Sequence, residues 1–125
     1  MKKPDQQHIH AELVKLCNGI PKILTVVVMD IDGDILSYHS KNDTFDEKLQ
    51  SVTIYKFRLA GEHLASDLGI EDWQYCIAAG SNGFSIYIPI GLSDYSLILI
   101  VPTDSAVDEL WPILEPHYKS IAKYF

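Results

Sequence analysis

The sequence predicts an α+β domain in which one five-stranded, mostly antiparallel sheet has helices on both faces. Two nearly continuous apolar runs, 23–29 and 95–101, are typical of strands at the centre of a sheet. Three strand patterns follow one another closely from residue 73 onward, and three segments show helical spacing of their apolar residues. The predicted order is α-β-β-α-β-β-β-α. With 125 residues the chain has the size of a single domain, 1–125, in which residues 1–5 are expected to form a flexible tail.

The first helix is predicted over residues 5–18. Its apolar residues recur at helical spacing, and the pattern stops at Asn18-Gly19, a glycine signal for a helix C-terminus. The run 23–29 is apolar and β-branched, which indicates a strand buried on both faces. Asp32-Gly33 then predicts a two-residue, type I′ hairpin turn into a second strand over 34–39.

The second helix is predicted over 44–68, with Asn42 or Asp43 as its N-terminal cap. At ~100° per residue its apolar residues fall on two nearly opposite sides. One side carries Phe45, Leu49, Val52 and Leu59, and the other carries Ile54, Phe57, Leu64 and Leu68. A surface helix needs only one apolar stripe, so one of these two is expected to contact a partner. The sequence does not decide which stripe contacts the sheet.

Three further strands are predicted over 73–79, 84–90 and 95–101, joined by turns. The last helix is predicted over 104–125 and has one apolar face. Pro112 and Pro116 lie inside its pattern, so the helix is expected to be kinked or broken near them.

Placing the two most apolar strands at the centre makes 34–39 and 73–79 the edges of the sheet. The first edge is polar near its end and can face water. The second, WQYCIAA, has no charge, proline or obvious bulge, and such an edge is a pairing site for another strand. The unprotected edge and the two-sided helix together predict a dimer in which the sheets join edge to edge and the long helices pack together.

The motif DIDG at Asp30–Gly33, directly after an apolar strand, is typical of phosphatases that use an aspartate nucleophile and a second aspartate as acid. That chemistry also needs an acidic pair to hold magnesium, and no further strand follows Thr103 to carry it. An EF-hand calcium loop needs glycine at its sixth position and glutamate at its twelfth, whereas here glycine is fourth and the twelfth residue is Lys41. We therefore interpret the motif as a hairpin turn.

The other polar residues do not form a catalytic or metal-binding pattern. His8 and His10 are two residues apart on a helix and do not face each other. His39, His63 and His117 have no cysteine or carboxylate at ligand spacing. No nucleophile, base and orienting group can be assembled. We expect a protein that is not an enzyme and has no cofactor and no metal site.

Charge and composition exclude further classes of partner. The net charge is −7 and the ten basic residues are scattered, which argues against binding nucleic acid. The longest apolar run is far short of the ~20 residues of a membrane span, and the N-terminus lacks the apolar region of a secretory signal. Cys17 and Cys76 are expected to be reduced thiols. These features predict a cytoplasmic protein with no direct membrane insertion.

The chain resembles the Roadblock/dynein light chain family over residues 6–124. The resemblance rests on the order of elements and on three local patterns: the hairpin VVVMDIDGDIL, the helix end HLASDLGIED, and the turn and strand GSNGFSIYIPIG. The chain departs from the family in two ways. Pro112 and Pro116 interrupt a last helix that is usually smooth, and Trp73 with Tyr75 makes the third strand unusually aromatic.

The resemblance implies a profilin-like roadblock fold and a dimer that shares a continuous sheet, either with itself or with a related roadblock subunit. Members of the family bind small Ras-like GTPases or act as adaptors, and some stimulate GTP hydrolysis. Arg58, the only arginine, is not expected to act as an arginine finger; it is expected to be solvated or to form a salt bridge in the dimer.

We therefore expect a non-catalytic, dimeric regulatory or scaffold protein that binds a small Ras-like GTPase and modulates its cycle. The alternative is a small-ligand sensor or a generic adaptor of PAS or profilin-like architecture. A sensor would need a hollow between sheet and helix, whereas these strands carry large side chains. The residues expected at the dimer or partner interface are Ile54, Phe57, Leu64, Leu68, Trp73, Tyr75 and Ile77.

Overall fold

The computed structural model describes residues 4–42, 45–70, 74–102 and 107–125, and gives only the backbone for residues 107 and 108. In these ranges the chain forms three helices and five strands in the predicted order. They are α1 (Gln6–Gly19), β1 (Thr25–Asp30), β2 (Ile35–Ser40), α2 (Glu47–Asp67), β3 (Cys76–Gly80), β4 (Gly83–Pro89), β5 (Tyr95–Val101) and α3 (Val107–Ala122).

The five strands form one antiparallel sheet in the order β2-β1-β5-β4-β3. β5 is central and β1 lies beside it, as their apolar sequences predict, because a strand flanked on both sides and covered on both faces has no position exposed to water. β2 and β3 are the two edges. The predicted α+β class, strand order and edge strands are confirmed.

The sheet is covered on both faces, so it separates two apolar clusters. β1 shows this most clearly: Val26 and Val28 pack towards α1 and α3, whereas Val27 and Met29 pack towards α2, and all four are fully buried. The first cluster is the larger. It includes Leu13 and Leu16 of α1 together with Leu114 and Ile121 of α3.

The β1–β2 hairpin differs from the predicted two-residue turn. The N–H of Asp30 bonds to the carbonyl of Asp34 (2.9 Å), which leaves a loop of three residues with Gly33 at φ 92°. One oxygen of the Asp30 carboxylate accepts hydrogen bonds from the N–H groups of Asp32 and Asp34, both at 2.9 Å. This local side-chain bonding favours the longer loop, since one carboxylate oxygen holds the N–H groups of both Asp32 and Asp34.

The α2 helix begins later than predicted, and its cap is neither Asn42 nor Asp43. Asp46 is the cap: its side chain accepts from the N–H of Leu49 (3.1 Å). Asp43 lies outside the described residues. At the other end Gly69 adopts φ 69°, and the next N–H, that of Ile70, bonds back to the carbonyl of Ala65 (2.8 Å). This left-handed glycine ends the helix at the predicted Leu-Gly pair.

The α1 helix shows that a glycine near a helix end can have another role. Gly19 lies inside the last turn, and Ile20, the residue after it, is extended. A Cβ on Gly19 would lie 3.0 Å from Nε2 of His117 on α3. The glycine predicted to stop the helix therefore leaves room for the imidazole ring of His117.

The α3 helix continues through both prolines, so the expected break near them does not occur. A proline at position i removes the hydrogen bond to the carbonyl at i−4. Pro112 and Pro116 are four residues apart and both are exposed, so they share one solvent-facing side of the helix. The opposite side of the helix carries the predicted apolar face, with Leu110, Leu114 and Ile121 buried.

Candidate partner interface

Helix α2 covers the sheet with the side that carries Ile54. Ile54 packs with Val27 and Tyr87, and it is 4% exposed. Phe57 lies on the same side, with its ring centroid 6.2 Å from that of Tyr87 on β4. The predicted stripe of Ile54, Phe57, Leu64 and Leu68 is therefore the one that meets the sheet, but only its first half is covered.

Four large apolar residues of α2 are exposed. Leu64 and Leu68 are 59% and 64% exposed, and they lie on the flank of the helix that carries Phe57, the flank nearer β4 and β3. Leu49 and Val52, from the other predicted stripe, are also exposed, whereas Phe45 at the start of that stripe stacks on Tyr38.

The β3 strand is an edge with little cover. It pairs with β4 along one side, and among the described residues no strand pairs with its other side. Four of its five residues are exposed, and the stretch Gln74–Gly80 contains no charge and no proline. An edge with free N–H and carbonyl groups and without such protection is a template for adding a strand.

The exposed apolar side chains of this edge and of the adjoining α2 flank form what we call the α2–β3 surface. Its residues are Leu64, Leu68, Ile70, Tyr75 and Ile77. Four of these belong to the predicted set, apart from Ile70, which lies beyond the helix end and so falls outside any helical periodicity. Ile54 does not belong to this surface, because its side chain is already buried on the sheet, and Phe57 is partly buried there. Trp73 lies outside the described residues.

A close contact fixes α2 against β3. A Cβ on Gly61 would lie only 2.4 Å from Sγ of Cys76, so any larger residue at position 61 requires the thiol or the helix to move. Cys76 points towards α2, and partial burial raises the pKa of its thiol. Because strand residues alternate between faces, Ile77 points to the other face. The α2–β3 surface therefore lies on both sides of the β3 edge.

An open groove of about 440 Å³ lies beside α2, near the hairpin loop and the β4–β5 turn. Arg58 lines it and is not the solvated side chain that we expected. It is 13% exposed, donates from Nη1 to the carbonyl of Ile31 (2.6 Å), and pairs through Nη2 with Glu62 (2.7 Å). The buried Tyr87 also lines this groove, and burial raises the pKa of its hydroxyl.

The Asp-x-Asp-Gly motif has a structural role in the hairpin. Asp30, the nucleophile of the phosphatase hypothesis, uses one carboxylate oxygen to hold the loop. The loop is also attached to α2, since the hydroxyl of Ser51 donates to the carbonyl of Gly33. Within the described ranges, no helix has the length and apolar character that crossing a membrane requires.

Comparison with known proteins finds similarity to solved structures, at low sequence identity. No protein-family model matches the chain, and no curated protein matches it. MglB of Myxococcus xanthus superposes with a TM-score of 0.79 at 18% identity, covering 98% of this chain and 91% of that one. An MglB structure described as having a tetrameric arrangement gives 0.80 at 12% identity, covering 99% and 92%. A Roadblock/LC7 domain from Streptomyces avermitilis gives 0.77 at 15% identity, covering 92% and 95%. The resemblance drawn from the sequence is thus confirmed for the fold: over nearly its whole length, this chain has the fold of MglB and of Roadblock/LC7 domains.

Proposed function

We propose that this chain is a non-catalytic regulatory or scaffold protein that self-associates and binds a small Ras-like GTPase. The observation that supports self-association is the α2–β3 surface, an uncovered strand edge bordered by exposed leucines. The GTPase partner rests on the resemblance to the Roadblock/dynein light chain family and on the shared fold. The same resemblance supports a non-catalytic role, in which the chain carries out no reaction itself.

The surface fits a second copy of the chain. Two β3 edges paired antiparallel about a two-fold axis would join two five-stranded sheets into one of ten strands. The same axis would bring the Leu64 and Leu68 flanks of both α2 helices together, so that backbone pairing and apolar burial reinforce each other. Ile77 and Tyr75 would be covered on the other face of the joint sheet.

The side-chain bonds of Arg58 indicate how a GTPase would be regulated. An arginine finger must reach the transferred phosphate from a free, extended position. The only arginine here is bonded within its own chain to Ile31 and Glu62 and is largely buried. The proposed protein therefore acts on a GTPase by holding it or by ordering the GTPase's own residues, and supplies no arginine of its own.

Self-association is tested by light scattering at micromolar concentration. We expect twice the 14.1 kDa mass of one chain. Leu64→Asp should weaken the dimer by a factor of roughly 10²–10⁴, because each of two buried leucines contributes about 1.5–3 kcal/mol and 1.4 kcal/mol is tenfold. Ile113→Asp is the matched control, since Ile113 is 52% exposed on the flank of α3 that borders the end of α1. A monomeric wild-type protein, or equal effects of the two variants, would contradict the proposed interface.

Ile54→Asp provides a second comparison. Its side chain is buried on the sheet, so a carboxylate there should unfold the chain and remove dimer and monomer alike. Leu64→Asp should instead give a folded monomer with native circular dichroism.

GTPase binding is tested separately, with purified small GTPases of the same organism loaded with GDP or a GTP analogue. We expect at least one to bind in a nucleotide-dependent manner. If none binds in either state, the GTPase part of the proposal fails, and a dimeric adaptor remains.

A further inference from the structure

The opposite edge of the sheet brings together two histidines that are far apart in sequence. His10 lies on α1 and His39 on β2, and their ring centroids are 6.1 Å apart with the planes at 74°. Nδ1 of His10 is 3.2 Å from Oγ of Ser37, the residue two positions before His39 on β2. Helix α1 lies along this strand, so one histidine of the helix faces two alternate residues of the strand.

These side chains border an open cavity of about 530 Å³ along the β2 edge. Glu47, at the start of α2, and Gln6 line the same cavity. His10 is exposed and His39 is half-buried, so solvent and small ions can reach both rings.

The geometry suits a metal ion held by two imidazoles. In the tautomer that donates Nδ1–H to Ser37, Nε2 of His10 keeps its lone pair, and such a hydrogen bond orients a metal-binding histidine. Two imidazoles on one ion, with metal–nitrogen bonds of about 2.0–2.1 Å, place their centroids roughly 5–6.5 Å apart for bond angles from tetrahedral to linear. The observed 6.1 Å lies inside this interval.

We propose that His10 and His39 bind one divalent transition-metal ion, with Ser37 positioning the His10 ring and water completing the coordination. Imidazole ligands select zinc, nickel or copper over magnesium and calcium, which prefer oxygen. The described residues contain no group of three or more histidine, cysteine or acidic side chains around a common point, so the site has two protein ligands and open positions. Glu47 adds negative charge to the cavity. A bound ion would hold α1 to the β2 edge, a role separate from the proposed partner interface.

The test is a calorimetric titration of the full chain with Zn²⁺ and with Ni²⁺, with Mg²⁺ as the comparison ion. We expect one Zn²⁺ or Ni²⁺ per chain and no heat from Mg²⁺. His10→Ala and His39→Ala should each weaken binding by at least ~10-fold. Ser37→Ala should weaken it by about 10-fold, which is typical for a residue that hydrogen-bonds the second ring nitrogen of a metal-binding histidine. His63→Ala is the control, because His63 is an exposed histidine on α2.

Two further measurements separate binding from folding. Each variant without metal should melt within a few degrees of the wild type, and Ni²⁺ should selectively broaden the NMR signals of the His10 and His39 rings. Unchanged affinity in the His10→Ala/His39→Ala double variant, or an equal loss in His63→Ala, would overturn the site. The double variant should still form the wild-type oligomer, so this proposal and the proposed function can fail independently.

Discussion

The contact between Gly61 and Cys76 leads to a prediction about Gly61→Ala. Its effect on the free energy of unfolding should have opposite signs with cysteine and with alanine at position 76. Alanine is the better residue in a helix interior, and replacing glycine there normally stabilises by about 1 kcal/mol. Here the added Cβ would lie 2.4 Å from Sγ of Cys76, about 1 Å closer than ordinary contact, so either the thiol or the whole of α2 must move. Overpacking of this kind costs typically ~1–3 kcal/mol. Gly61→Ala alone should therefore leave stability unchanged or lower it by up to about 2 kcal/mol.

Cys76→Ala removes the clashing atom. The next nearest atom to the new Cβ is Cβ of residue 76 itself, at 3.6 Å, which is normal van der Waals contact. In that background Gly61→Ala should stabilise by roughly 0.5–1 kcal/mol, the helix-propensity gain alone. The coupling energy between the two substitutions should then be about 1–3 kcal/mol.

The assay is urea denaturation of the four proteins of this cycle, followed by circular dichroism at one fixed chain concentration, because association would otherwise change the apparent stability. Gly61→Ala having the same effect in both backgrounds, within about 0.5 kcal/mol, would refute the reasoning. It would mean that α2 does not rest on β3 at this point.

Three further predictions concern single groups. Asp30→Ala should lower the free energy of unfolding by about 1.5–3 kcal/mol, because two hydrogen bonds to the backbone are lost. Asp30→Asn keeps an acceptor oxygen and should cost less than ~1 kcal/mol, so equal losses in urea denaturation would contradict the hairpin role. Tyr118→Phe should cost about 1–2 kcal/mol, because the hydroxyl donates to the carbonyl of Pro89 (3.0 Å) and accepts from the N–H of Gly91 (3.2 Å); an unchanged unfolding midpoint would show that these bonds contribute nothing. The rate of Cys76 alkylation, measured against pH by peptide mass spectrometry, should have its midpoint at higher pH than in a short peptide of the same sequence. Burial raises the pKa of the thiol and so lowers the thiolate fraction at any given pH, and a midpoint at or below that of the peptide would contradict the burial.

The strand order followed from the sequence because apolar character maps directly onto position in a sheet. β5, with its run of large apolar residues, has the predicted bounds and lies at the centre. The edge strands were predicted by elimination, because placing the two most apolar strands at the centre leaves β2 and β3 for the edges.

Two predictions from local backbone rules were wrong, one for the hairpin turn and one for a break in the last helix. Asp32-Gly33 predicts a two-residue turn, but the loop has three residues. The Asp30 carboxylate, which lies before Asp32-Gly33, holds this longer loop through two backbone N–H groups. Pro112 and Pro116 do not break α3, and both prolines lie on one exposed side of the helix, away from its buried face.

The candidate interface was only half predictable for a geometric reason. Periodicity shows that α2 has more apolar surface than one contact can cover, but it carries no information on the height and rotation at which the helix rests. That placement is fixed by Gly61 against Cys76, two residues whose contact no local pattern reveals. The same limit applies to His10 and His39, which meet only because α1 lies along β2.

The two ends of the sheet differ in a way that limits how large an assembly can become. At the β2 end, the side-chain amide of Gln6 donates a hydrogen bond to the carbonyl of Leu36 (2.6 Å). The pairing register with β1 also shifts between Val28 and Met29, so that β2 carries a bulge. Bulged and capped edges resist the addition of strands. If β3 pairs with β3, the joint sheet has a β2 edge at both of its ends, and each of these edges is bulged and is bonded at Leu36 to Gln6. Such ends disfavour the addition of a third chain, so we expect the assembly to stop at two chains and not to polymerise into fibres.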